Sequence, residues 1–163
     1  MITMCMRRIK KILYTLEIEY AVVFSFYMGG AIAIRFVSNY DGAHVSKLTL
    51  VTAAAPIWTQ RKDFKYNLPN SAVDNLIKLN HKDRPKLLSD FAMIFSTTET
   101  SLSEGIGSWL NGICLSASSY YATDQCLIAL RYIDLISDLS KILFPRMIRH
   151  GKKDKICSFY RVK

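Results

Sequence analysis

Apolar residues along this chain follow two rhythms. Ala21-Val22-Val23-Phe24 is unbroken and β-branched, the composition of a buried strand, and runs into Ser25-Phe26-Tyr27-Met28-Gly29-Gly30. From there Ala31-Ile32-Ala33-Ile34-Arg35-Phe36-Val37 continues as a helix opened by small residues, and Val45 to Thr52 is again a β-branched run, as expected of a parallel strand covered on both faces. Ahead of them Arg7 to Leu16 has the spacing of an amphipathic helix. Between Pro56 and Pro145 the rhythm is helical at about 70–80, 84–96, 101–116 and 122–133, with Asn70 and Ser71 as caps for the first segment and Asp83, before Pro85, opening the second. Met147-Ile148-Arg149-His150 supplies a third strand. The expected fold class is therefore α/β, with about three parallel strands, flanking helices and a helical insertion. Residues 1–56 and 140–163 make the core and 57–139 the cap, with no internal repeat or low-complexity linker.

A strand that turns sharply into a helix is the setting of the G-x-S-x-G nucleophile elbow, in which the turn lifts one side chain above the sheet. Here Ser25 stands where the first glycine belongs, Tyr27 where the serine belongs, and Gly29 closes the motif. Further along, Ala53-Ala54-Ala55-Pro56 follows the second strand, Asp124 to Arg131 and Ile133 to Leu139 read as a last cap helix and its exit, and His150-Gly151-Lys152-Lys153-Asp154-Lys155-Ile156 matches an HGxxDxI turn. In this order the segments resemble the α/β-hydrolase superfamily, on the side of the non-haem haloperoxidase-like serine esterases. The resemblance implies a partial α/β-hydrolase fold, truncated at both ends. Strands that supply half of the oxyanion hole would precede this chain, and the strand and loop bearing the catalytic histidine would follow it.

The resemblance also assigns roles by position: Tyr27 takes the nucleophile position, the backbone N–H of Met28 half of the oxyanion hole, and Asp154 the triad acid. A phenol with an ordinary pKa near 10 and no adjacent base stays protonated at neutral pH, so Tyr27 reads as a space-filling residue on a degenerate elbow. Ser25 lies before the turn and offers no substitute. His44 in a loop, His81 in the cap and His150 at a strand end each read as surface or turn residues, which leaves Asp154 without an imidazole to orient and suits it to forming a turn after Gly151. The expected protein is a catalytically inactive member of a hydrolase family, a pseudoenzyme; the alternative is a binding or interaction module that uses the cap pocket or an exposed sheet edge.

Charge adds one feature. Four basic side chains lie in residues 7–11 and seven, against the single acid Asp154, in residues 146–163, so the ends carry the net charge of +9 and the middle is close to neutral. Such tails bind phosphates or acidic surfaces, but a frayed, solubilising end is the simpler reading, and nucleic acid is not expected as a partner. Tyr20 to Ile34 lacks charge, yet it is shorter than the roughly 20 residues of a spanning helix and Gly29-Gly30 interrupts it, so no membrane partner and a cytoplasmic location are expected. Cys5, Cys114, Cys126 and Cys157 have neither disulfide nor zinc spacing, and read as reduced packing residues. Neither G-x-x-x-x-G-K-[ST] nor G-x-G-x-x-G occurs and no pair of histidines lies at metal-ligand spacing, so no cofactor and no metal are expected. Trp58, Trp109 and Tyr120-Tyr121 are of the kind that line an apolar cap pocket, where a small hydrophobic ligand fits. A first strand that is apolar, uncharged and free of proline is expected to self-associate or to take up a complementary fragment.

Overall fold

Three parallel strands, β1 (Ala21–Phe26), β2 (Val45–Val51) and β3 (Arg146–Arg149), lie side by side in chain order in the computed structural model, which describes residues 1–65, 67–95 and 103–159. Helix α1 (Ile2–Thr15) precedes the sheet, starting earlier than its polar pattern suggested. Helix α2 (Met28–Asn39) links β1 to β2 as a crossover. Small and branched residues let α2 lie close to the sheet: Ala31, Ile34, Phe36 and Val37 are buried together with Leu48 and Leu50 of β2. Gly30 makes this closeness possible, because a Cβ there would stand 2.5 Å from the Cβ of Ala53. Gly29 is under no such constraint, since a methyl group added there would meet nothing within 4 Å.

The insertion between β2 and β3 holds α3 (Asn70–Lys82), α4 (Arg84–Phe95), α5 (Glu104–Ala117) and α6 (Tyr120–Arg131), and the short α7 (Ile136–Leu139) leads back to β3. Here α3 packs on α6 and α4, and α4 on α5. All four expected helical segments are present; positions 96, 101 and 102 of the expected ranges, and Arg161 and Lys163 of the basic end, lie outside the described residues. One capping expectation is corrected. Asn70 and Ser71 are inside α3, whose N-cap is Pro69 without a side-chain cap bond, because Pro69 at φ −63° already sets the chain at the helix entrance. Asp83 does act at the start of α4, its Oδ1 accepting the Lys86 N–H at 3.0 Å. Ser103 and Ser119 cap α5 and α6 in the same way.

The core and insertion are stitched by charge. Arg35 of α2 pairs with buried Asp138 of α7 at 3.2 Å and donates to the Asp134 carbonyl, so the elbow helix is tied to the chain returning from the insertion. Arg84 is itself buried, at 3 % exposure. Its Nη1 donates to Asn80 Oδ1 (3.0 Å) and Thr123 Oγ1 (2.8 Å), and its Nη2 to the Ser118 carbonyl (3.0 Å) and Ser118 Oγ (2.7 Å). The guanidinium thus sits where α5 ends, and the carbonyls left over by that helix and its dipole supply the negative counterpart.

β1 departs from the buried strand that its sequence suggests. Val22, Phe24 and Phe26, alternate residues on one face, are exposed, at 63, 69 and 49 %. Across the sheet the Phe24 row continues through Thr49 to half-exposed Met147. β1 also borders β2 on one side only, so its other edge is unpaired among the described residues. Helices α1 and α2 cover the opposite face, where Val23 and Ser25 point. No helix among the described residues is long and apolar enough to cross a membrane.

Candidate active site

The strand-to-helix turn is sharp, although its residues, Ser25 to Gly29, differ from G-x-S-x-G at the first and third positions. Tyr27 has φ +49° and ψ −117°, a conformation that side-chain-bearing residues avoid and that costs on the order of 1–3 kcal/mol. Three main-chain hydrogen bonds hold it there: the Tyr27 N–H donates to the Val51 carbonyl (3.1 Å), and the Tyr27 carbonyl accepts the N–H groups of Ala54 (2.9 Å) and Gly30 (3.1 Å). Ser25, in place of the motif's first glycine, is accommodated by donating its hydroxyl to the Thr49 carbonyl of β2 at 3.0 Å. Met28 is the first residue of α2, so its N–H lies outside the helical ladder and at the positive end of the helix dipole.

Asp154 comes to the same place from the other end of the chain. It lies in the loop after β3, and with Tyr27, Phe26, Thr52, Phe91 and Lys153 it lines a cavity of about 390 Å³ at the carboxyl ends of the strands, where open α/β sheets bind ligands. Thr52 is strained as well, at φ +48°, so two of these strand-end residues are held in unusual conformations beside the cavity. Asp154 Oδ1 accepts the N–H groups of Ile156 (2.9 Å) and Cys157 (2.8 Å), which makes this carboxylate the fastener of its own turn.

His44, in the turn before β2, and His81, exposed on α3, lie as their sequence context suggested, whereas His150 does not. His150 is not a surface residue: its side chain is 3 % exposed, and Nε2 bonds the Cys157 carbonyl. A carbonyl only accepts, so Nε2 carries a proton there and the 3.8 Å approach to Asp154 Oδ2 is too long for a hydrogen bond. His150 lines a separate, smaller cavity with Ile34, Leu50 and Ile148. His81, though exposed, is paired with Asp124 across α3 and α6, and His44 Nδ1 bonds the Ile18 carbonyl at 2.8 Å. Each imidazole is thus engaged elsewhere.

A third cavity, of about 250 Å³, runs from Tyr27, Met28 and Phe91 into the insertion between Trp58, Leu87 and Leu127, and no charged side chain lines it among the described residues. Trp58 was legible in the sequence as a pocket aromatic. Phe91 and Leu127 were not singled out, although their positions on the apolar faces of α4 and α6 carried the signal. Trp109, by contrast, is 64 % exposed on α5. The four cysteines are free thiols, and Cys114 is exposed, against the expectation of a packing residue, because α5 buries no side chain. Among the described residues no group of three or more His, Cys, Asp or Glu side chains is placed to hold a metal ion.

No family model matches the chain. Among curated proteins it is 42 % identical over 151 residues to the AB hydrolase superfamily protein YisY of Bacillus subtilis, a match covering 93 % of this chain and 55 % of that protein. It is 24 % identical over 150 residues to a non-heme chloroperoxidase of Streptomyces lividans, covering 88 % of this chain and 53 % of the relative. Among solved structures, an esterase from Exiguobacterium antarcticum superposes with a TM-score of 0.93 at 35 % identity, over 99 % of this chain and 59 % of the esterase. A bromoperoxidase from Bacillus anthracis shares the fold, with a TM-score of 0.88 at 24 % identity over 94 % of this chain and 57 % of its own. The chain spans about half the length of the curated relatives it matches. With this identity and this superposition over nearly its whole length, the chain has a partial α/β-hydrolase fold and belongs to the α/β-hydrolase superfamily, related to the esterase and non-haem chloroperoxidase branch.

Proposed function

We propose that this chain keeps the ligand-holding half of an α/β-hydrolase site and, by itself, catalyses no ester hydrolysis. The observation that carries the reading is Tyr27 on an intact elbow: the backbone presents a residue to the cavity as a serine hydrolase would, but the group presented is a phenol. Acyl transfer needs a nucleophile, a base that takes its proton and a donor for the oxyanion. Met28 can supply the donor, whereas His44, His81 and His150 are each bonded to other groups. The helical insertion acts as a cap, and its apolar cavity retains an uncharged small molecule. With short p-nitrophenyl esters the purified chain is expected to give the buffer rate, and Tyr27→Ser is expected to leave that rate unchanged because no imidazole stands ready. Turnover that disappears in Tyr27→Phe would overturn the reading.

A second reading is supported by the uncovered face of β1. Val22, Phe24 and Phe26 form an apolar strip beside an edge that is unpaired among the described residues, a combination that favours pairing with another strand. In this reading the chain is an interaction module, joined either to its own copies or to a polypeptide that carries the remaining strands of the fold. Light scattering of the isolated chain is then expected to show concentration-dependent association that Phe24→Lys reduces. A monodisperse monomer across the micromolar range would count against it.

A further inference from the structure

Three sulfur-bearing side chains, two at the start of the chain and one far along it, meet between α1 and α6. The Cys126 thiol on α6 donates to Met1 Sδ at 3.3 Å. Met1 is the N-cap of α1, and its carbonyl accepts the Cys5 N–H at 3.1 Å, so Met1 and Cys5 are one helical turn apart on a common face. Burial raises the Cys126 pKa and the Cys5 thiol raises it further, which puts the two cysteines within reach of each other's charge. Both thiols are free, and like Met1 they are half-buried. Thiolate–metal bonds of about 2.3 Å set sulfurs that share one ion roughly 4 Å apart, so Met1 and Cys126 already stand within the necessary span.

We propose that Met1 Sδ, Cys5 Sγ and Cys126 Sγ form a three-sulfur site for a single Cu(I) ion. The nature of the ligands selects the metal. Thiolate and thioether sulfurs are soft and favour Cu(I), whereas a structural zinc ion takes four ligands from Cys, His and carboxylate groups. Among the described residues no three such side chains are grouped, so this set is too small for zinc. Binding replaces the thiol protons with the metal, releases them to solvent and leaves the oxidation state of copper unchanged. The ion ties the first helix to the insertion and so stabilises the folded chain. This site goes beyond the ligand-holding reading and does not depend on it. Spacing along the chain carries no sign of it, because Cys5 and Cys126 approach each other only in space and methionine is absent from zinc-type patterns.

The test mixes the reduced protein, without oxygen, with the Cu(I) complex of the chelator bicinchoninate, in a chain carrying Cys114→Ser so that the exposed thiol of α5 does not compete. One equivalent of Cu(I) is expected to pass from the chelator to the protein. Adding Cys5→Ser or Cys126→Ser is expected to abolish that transfer at the same chelator concentration. Met1 is read directly: with the methionine methyl groups labelled for NMR, its resonance is expected to shift with Cu(I) and to stay in place with Zn(II). If Cys126→Ser fails to fold, Cys5→Ser and the Met1 resonance decide. Transfer that survives both cysteine substitutions, or no transfer to the starting chain, would overturn the site. Transfer that needs the cysteines but leaves the Met1 resonance unmoved would overturn the three-sulfur assignment, as would an equal shift with Zn(II).

Discussion

Replacing Arg84 with leucine is expected to destabilise the protein by about 3–5 kcal/mol, the range measured when one member of a buried charged network is removed. The reason lies in what the guanidinium holds. It is the common partner of Asn80 on α3, the Ser118 hydroxyl and carbonyl after α5, and the Thr123 hydroxyl on α6, and its Cζ lies 5.4 Å from the Tyr120 ring centroid. Leucine would match part of the volume while stranding these acceptors in a buried site. Lysine would keep the charge but, with a single nitrogen, reaches only some of them, so Arg84→Lys is expected to recover less than half of the loss. Thermal unfolding followed by circular dichroism should show a fall on the order of 10 °C for a chain of this size. Hydrogen exchange should locate the opening in α5 and α6. A loss below about 1 kcal/mol would mean that the network contributes little to stability.

Neighbouring glycines at the elbow are expected to respond to the same substitution with opposite signs. At Gly30 an alanine methyl would meet the Ala53 Cβ at 2.5 Å, and that atom is fixed to the backbone, so α2 must move away from the segment that follows β2. Overpacking of this kind costs about 1–3 kcal/mol, and the gain of roughly 1 kcal/mol from alanine's helix propensity offsets only part of it. Gly30→Ala is therefore expected to lower stability by up to about 2 kcal/mol and Gly30→Val by more. At Gly29 nothing lies within 4 Å, so Gly29→Ala keeps the propensity gain and is expected to stabilise by about 0.5–1 kcal/mol. Urea unfolding of the pair checks both. Equal effects at the two positions would show that α2 does not pack tightly on Ala53.

These two cases also show how legible the protein was beforehand. The glycine pair marks a strand-to-helix turn in the sequence, but the pattern gives no means of telling which glycine is crowded, because Ala53 is distant along the chain and near only in space. Arg84 was less legible still: a charged residue in a helical segment reads as a solvated one, and its burial depends on where α5 ends. His150 was misread as a surface residue for the same reason, since the carbonyl that holds it belongs to a later turn. Phe24 erred in the other direction. Its apolar run indicated a buried strand, whereas burial depends on what covers the sheet.

By itself the sequence determined the class and order of the elements and the place of the strand-to-helix turn that carries Tyr27, because hydrophobic rhythm and a short turn motif are local properties. Tertiary structure alone decided that Tyr27 and Asp154 share a cavity, that each histidine is bonded to another group, that the Trp58 indole finds no hydrogen-bond partner among the described residues, and that Val22, Phe24 and Phe26 on one face of β1 are exposed. Those are statements about groups far apart in the chain, and only packing brings the donors, acceptors and apolar surfaces close enough for distance to settle which of them interact.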